Sequence, residues 1–108
     1  MANEPTPELL PVRPVAAIEA HPQHSDWLIE GLWTQQGVGL IGGAPKCCKT
    51  WLALDLAVSV ASGTPALGRF SVRERGPALF YGAEDAAAHL RARIETIAAA
   101  RGLGLDGL

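Results

Sequence analysis

Apolar and polar positions along this chain switch from strand to helix period twice, and each stretch of one period marks a predicted element. Val38, Leu40 and Ile41 form a short branched run that stops at Gly42 and Gly43, the pattern of a buried strand ended by a glycine turn. From Lys49 onward the period lengthens. Leu52, Leu56 and Val60, with Ala53 and Ala57, recur at helical spacing and predict a helix through Ser62. Gly63 and then Pro65 supply its stop. A second round follows. Residues 78–82, Ala-Leu-Phe-Tyr-Gly, predict another strand, and Ala87, Leu90, Ile94, Ile97 and Ala98 stripe one face of a helix over residues 86–101. Arg91 and Glu95 stand four apart on another face, and Gly102 ends the helix. Strand, turn and helix taken twice predict an α/β fold with parallel strands.

The flanking segments read differently. Residues 1–24 carry Pro5, Pro7, Pro11, Pro14 and Pro22, a density that opposes helix and sheet and predicts a flexible or extended arm. Residues 25–108 then form the folded portion. His21 and His24 lie in the arm without the partners a metal site needs, so a solvated pair is expected. The segment WLIEGLW, residues 27–33, holds Trp27 and Trp33, which either pack it onto the core or stack on a nucleobase; packing is the expected role. Residues 68–77 form a polar connection bearing Arg69, Arg73 and Arg75, read as solvated surface, with phosphate or DNA contact as the competing role.

Composition narrows the function classes. A chain of 108 residues with 48% hydrophobic content has room for one small domain and enough apolar side chains for a core. The net charge of −2 gives no sign of a nucleic-acid or anionic-membrane surface. Cys47 and Cys48 are adjacent, which suits neither a disulfide framework nor a zinc site. No signal peptide or membrane span is visible, so a cytoplasmic protein with no membrane partner is expected.

The chemistry concentrates in residues 43–50: Gly43, Ala44, Pro45, Lys46, Cys47, Cys48, Lys49 and Thr50. A glycine loop between a strand and a helix beginning Lys-Thr is the layout of a phosphate-binding P-loop. The free N–H groups and positive dipole end of a helix favour an anion there. Lys49 adds a point charge for outer phosphates, and the Thr50 hydroxyl is a ligand for Mg²⁺. The motif departs from G-x-x-x-x-G-K-[ST] at one letter, since Cys48 occupies the second glycine position. A side chain in a left-handed residue costs about 1–2 kcal/mol. The competing reading is an ordinary strand-turn-helix corner. At the end of the second predicted strand stand Glu84 and Asp85, on the side of the sheet where ligands of open α/β folds sit. Glu84 is the candidate to orient water for attack on a γ-phosphate, and Asp85 the candidate cap of the following helix.

Residues 27–108 resemble the RecA-like, AAA-type P-loop ATPases related to the plasmid replicative helicase RepA. The resemblance rests on WLIEGLW, GLIGGAPKCCKTWLALDLAVSVASG, LGRF, GPALFYGAEDAAAHLRARI and AAARGL, in that order. It implies a three-layer P-loop core, with residues 43–50 as the Walker A loop, Lys49 on the phosphates, Thr50 on Mg²⁺ and Glu84 as catalytic glutamate. It also implies ATP as ligand, Mg²⁺-dependent hydrolysis in the intact protein, ring-shaped homo-oligomers (hexamers in the RepA helicase) and action on DNA during replication. Family members carry a glycine where Cys48 stands. Their Walker B strand and arginine finger fall beyond Leu108, so the chain is expected to be the N-terminal portion of such an ATPase. The alternatives are a non-catalytic remnant that needs a partner or longer chain to fold, and a nucleotide-binding regulator without hydrolysis.

Overall fold

The computed structural model describes residues 10–20 and 26–108. Two helices carry the packing, α1 over Lys49–Ser62 and α2 over Ala87–Ala100. Both end at the expected glycines. Gly63 is left-handed at φ 77° and donates its N–H to Ser59 O at 2.8 Å. After α2, Gly102 at φ 70° donates to Ala99 O (3.0 Å), and Leu103 donates to Ala98 O (2.9 Å). That bond pair is a Schellman closure, which needs the left-handed residue that glycine adopts without strain. The expected Arg91–Glu95 pair forms at 2.9 Å.

The core is small. Leu54 and Val58 of α1 meet Ile97 of α2, with Phe80, Leu90 and Ile94 packed against them. On α2 the predicted stripe is the observed one, although Ala87 at its start is exposed. On α1 the buried positions are Leu54, Val58 and Ser59, while Leu52, Ala53, Leu56, Ala57 and Val60 are only half-buried. The helix is apolar on two sides, and only one of them meets α2. The other, with Ala53, Leu56, Ala57 and Val60, floors a groove of about 380 Å³ walled by Ile41, Leu79 and Trp33.

That groove explains the main departure from expectation. The parallel three-layer core is not formed by the described residues. Residues 38–41 and 78–82, expected as its strands, pair with no strand, and no backbone hydrogen bond joins them to each other. They keep the alternation of strands: Ile41 and Phe80 are half-buried, whereas Val38, Leu40, Leu79 and Tyr81 are each at least 88% exposed. A parallel strand needs a neighbour to satisfy its backbone, and among the described residues neither segment has one beside it.

Instead, a two-stranded antiparallel sheet forms from the lead-in segment. β1, Trp27–Ile29, pairs with β2, Trp33–Thr34, in the register Trp27 to Thr34 and Ile29 to Trp33. Gly31, at φ 79°, makes the turn between them. Residue 72 adds a bridge to Ile29, and Ala66 pairs with Phe70 across a tight turn. Residues 10–20 are exposed throughout, with one 3₁₀ turn at Val15–Ala17. The remaining residues of the proline-rich arm, His21, His24 and the boundary after residue 24 fall outside the described residues.

One polar cluster ties the helix pair together. The Arg101 guanidinium donates to Ser59 Oγ (2.6 Å), Thr64 Oγ1 (2.8 Å) and the Asp55 carboxylate. The other oxygen of Asp55 accepts the Leu67 N–H at 2.8 Å, fixing a residue that is itself left-handed at φ 53°. Side-chain exposure is 13% for Arg101 and 20% for Asp55, so the pair is largely shielded from solvent. Removing one partner of such a pair strands the other, at a cost of about 3–5 kcal/mol, whereas an exposed helical pair contributes under about 1 kcal/mol. Arg101→Met is therefore expected to lower unfolding stability by about 3 kcal/mol in urea titration, and Arg91→Ala by about 0.5 kcal/mol or less. Equal losses in the two variants would show that Arg101 is no more than a surface side chain.

Candidate functional site

Residues 43–50 leave the first unpaired segment and enter α1 through two left-handed residues. Lys46 is at φ 63°, and Cys48, the residue before the helix, is at φ 70° and ψ 25°. Cys48 thus stands in the conformation for which glycine is the strain-free residue. Its carbonyl accepts the Leu52 N–H at 3.1 Å, which leaves the amides of Lys49, Thr50 and Trp51 ahead of the helical ladder. No side chain caps them. Gly43 has a different requirement. A Cβ there would lie 2.5 Å from Cys47 Sγ, so a side chain at this position would have to displace the thiol. The Lys49 ammonium donates to Gly43 O at 2.6 Å, joining the two ends of the loop.

The loop faces a cavity of about 580 Å³. Pro45, Lys46, Cys47, Cys48, Lys49 and Thr50 line it from one side, and Glu84 and Asp85 join them from the end of the second unpaired segment. The two stretches singled out by sequence, 39 residues apart at Pro45 and Glu84, therefore meet in space. Gly43 and Ala44 do not line the cavity. Asp85 departs from its expected role. α2 starts at Ala87 with Ala86 before it and no side-chain cap, and Asp85 instead pairs with Arg93 at 3.5 Å. Eight residues is two helical turns, so Arg93 reaches back over the start of its own helix.

Sequence reasoning missed two lining residues, Trp51 and Arg93. The Arg93 guanidinium lies 5.7 Å from the centroid of the Trp51 ring, within cation–π range. The signal was present. Trp51 directly follows Thr50, and Arg93 falls about two turns after Ala86, the spacing that stacks side chains on one face.

The remaining candidates have structural partners. Trp33 covers Gly39 so closely that any Cβ there would collide with the ring, and its Nε1 donates to Gly37 O at 3.2 Å, which is the packing role. Arg73 pairs with Glu30 at 3.0 Å, Arg75 donates to Ala61 O near the end of α1 at 2.9 Å, and Arg69 lies over Phe70. Cys47 and Cys48 are free and exposed. A larger cavity, about 670 Å³, lies between the helix pair and residues 75–80. Its lining is mainly Leu54, Val58, Phe80 and Ile94, with Arg75 the only charged side chain, so it is under-filled core and offers no chemistry.

Among the described residues no three His, Cys, Asp or Glu side chains gather as a metal site. The oxygen donors that face the loop cavity are the Thr50 hydroxyl and the Glu84 and Asp85 carboxylates. Such a hard, incomplete set suits Mg²⁺, which keeps waters and takes phosphate oxygens in preference to a protein cage. No helix among the described residues is long and apolar enough to cross a membrane.

Comparison with known proteins adds one finding. No curated protein and no solved structure matches the chain. The AAA domain model matches residues 3–107, which extends past the motif region into the proline-rich arm. The chain belongs to the AAA domain family, a family of nucleotide-binding ATPases.

Proposed function

We propose that residues 43–50 bind the phosphates of ATP and that Glu84 orients water for hydrolysis, in an ATPase of the RepA-like helicase or DNA-replication kind. The observation that carries this reading is the meeting of Lys49, Thr50 and Glu84 around one cavity at the N-terminus of α1. The free amides and the dipole of α1 favour an anion, and the Lys49 ammonium exchanges Gly43 O for a phosphate oxygen. Thr50 holds Mg²⁺, which supplies charge neutralisation on the phosphates when bound. Glu84 is exposed and faces the same space, so its carboxylate can accept a hydrogen bond from an attacking water. A homo-oligomeric ring and DNA as partners follow from the RepA resemblance and form part of the proposal.

A second reading has its own support. The exposed apolar side chains and unpaired backbone of residues 38–41 and 78–82 favour a chain whose sheet is completed by other polypeptide. Nucleotide binding without turnover then describes these residues taken alone. Phosphate release by the parent chain separates the two, and its dependence on Glu84 is tested by Glu84→Gln. The substitution is expected to leave ATP affinity nearly unchanged while abolishing whatever phosphate release the protein shows. Release at the parental rate would remove Glu84 from the chemistry.

Lys49→Ala tests the loop itself. Loss of a charge-assisted contact removes about 1.5–3 kcal/mol, so ATP affinity by calorimetry should fall by roughly ten- to a hundredfold with helix content unchanged. Equal affinity in parent and variant would end the P-loop assignment.

Cys48→Gly tests the departed letter. Relief of a left-handed side chain is expected to raise unfolding stability by about 1 kcal/mol and to tighten ATP binding. Cys48→Ala, which keeps a Cβ, should give neither gain. A glycine variant no more stable than the alanine variant would show that the loop holds Cys48 without strain.

A further inference from the structure

Arg93 is a cation in the loop cavity to which neither the motif nor the resemblance gives a role. Its side chain is 30% exposed, so it is partly desolvated. A guanidinium carries five N–H donors. Among the described residues, the one hydrogen bond of Arg93 goes to Asp85 Oδ2 at 3.5 Å, the outer limit of such a contact. Arg101 makes the comparison plain: it spends its donors on three side chains and a backbone carbonyl, and it is a structural clasp. Arg93 is held by the Trp51 ring and by one long acidic contact, and its remaining donors meet no acceptor among the described residues. Both Trp51 and Arg93 belong to the packed helix pair, so the backbone that carries the guanidinium is held relative to Lys49 and Thr50. Lys46, Lys49 and Arg93 outnumber Glu84 and Asp85 in the lining, and the cavity favours an anion.

We propose that Arg93 is a binding residue of this cavity, donating to the terminal phosphate of a nucleoside triphosphate. The proposal rests on reading residues 43–50 as the phosphate loop. In that reading the inner phosphates lie on the α1 amides and the outer one lies toward Glu84. Arg93 is on the Glu84 side, because its acidic partner is the next residue in the chain. Ligand binding replaces the long Asp85 contact with a charge-assisted, two-pronged one, for which a planar fork is suited and an ammonium is not. Asp85 thereby acts as a placeholder that keeps the guanidinium at the cavity in the ligand-free chain.

The test is calorimetry on the full 108-residue chain with Mg²⁺ and either ATP or ADP. Arg93→Gln is expected to weaken ATP binding roughly tenfold or more while ADP stays within about twofold, since only the triphosphate reaches the guanidinium. Arg93→Lys should retain part of the preference. Arg91→Gln, which removes an equal charge outside the cavity, should move neither affinity. Equal weakening of ATP and ADP in Arg93→Gln would reduce Arg93 to a structural residue, and unchanged affinities would remove it from the site, in either case leaving the loop assignment standing. A parent chain that binds neither nucleotide overturns the loop assignment and this inference together. Should Arg93→Gln lose its helical circular dichroism, Asp85→Asn reads the same question. Freeing the guanidinium should tighten ATP more than ADP, and an equal response of the two nucleotides overturns the proposal.

Discussion

The guanidinium of Arg101 reaches from the end of α2 to Asp55 and Ser59 on α1 and to Thr64 just beyond it, and the apolar contact beside it is small. Leu54, Val58 and Ile97 are its buried centre, each contributing about 1.5–3 kcal/mol of burial. Ordering the backbone opposes this by about 1–2 kcal/mol per residue. The helix pair therefore depends on its polar clasp more than a larger core would. Asp55 extends the effect, because its second oxygen also holds the Leu67 amide and with it the turn that brings Phe70 back to Ala66. Half of the candidate site stands on this pair, with Lys49, Thr50 and Trp51 at the start of one helix and Arg93 on the other.

What could be read from sequence was whatever local chemistry decides. Gly63 and Gly102 end their helices as expected, because a left-handed residue is a local demand that glycine meets. The Arg91–Glu95 pair and the α2 stripe were also legible, since helical spacing alone places them. The α1 face and the two strands were not. Val38, Leu40, Leu79 and Tyr81 have the pattern of buried strands, but a strand is completed by neighbours that no local window contains. Asp85 failed as a cap for a related reason: a charged partner two turns along α2 drew the carboxylate away from the amides. Within the site, the convergence of residues 45–50 with Glu84 was legible from the strand–turn–helix order, although the described residues do not form the parallel sheet that justified it. Arg93 and Trp51 were missed because each looks like an ordinary helix residue until both helices are in place.

The cavity is thus bounded by two kinds of structure. Lys49, Thr50, Trp51 and Arg93 are carried by the backbone of α1 and α2. Pro45, Lys46, Cys47, Glu84 and Asp85 hang from stretches without backbone pairing, tethered at the Lys49–Gly43 and Arg93–Asp85 contacts. In terms of amide exchange with deuterated solvent, the molecule has a seam. Interior amides of α1 and α2 are expected to exchange slowly, through opening of the helix pair, whereas those of residues 38–42 and 78–82, which find no backbone acceptor among the described residues, are expected to exchange fast. The seam runs through the cavity. A molecule that settles there bridges slow-exchanging backbone to fast-exchanging backbone, and protection at residues 46–51 and 82–85 would report its arrival even where the interior of the helices registers nothing.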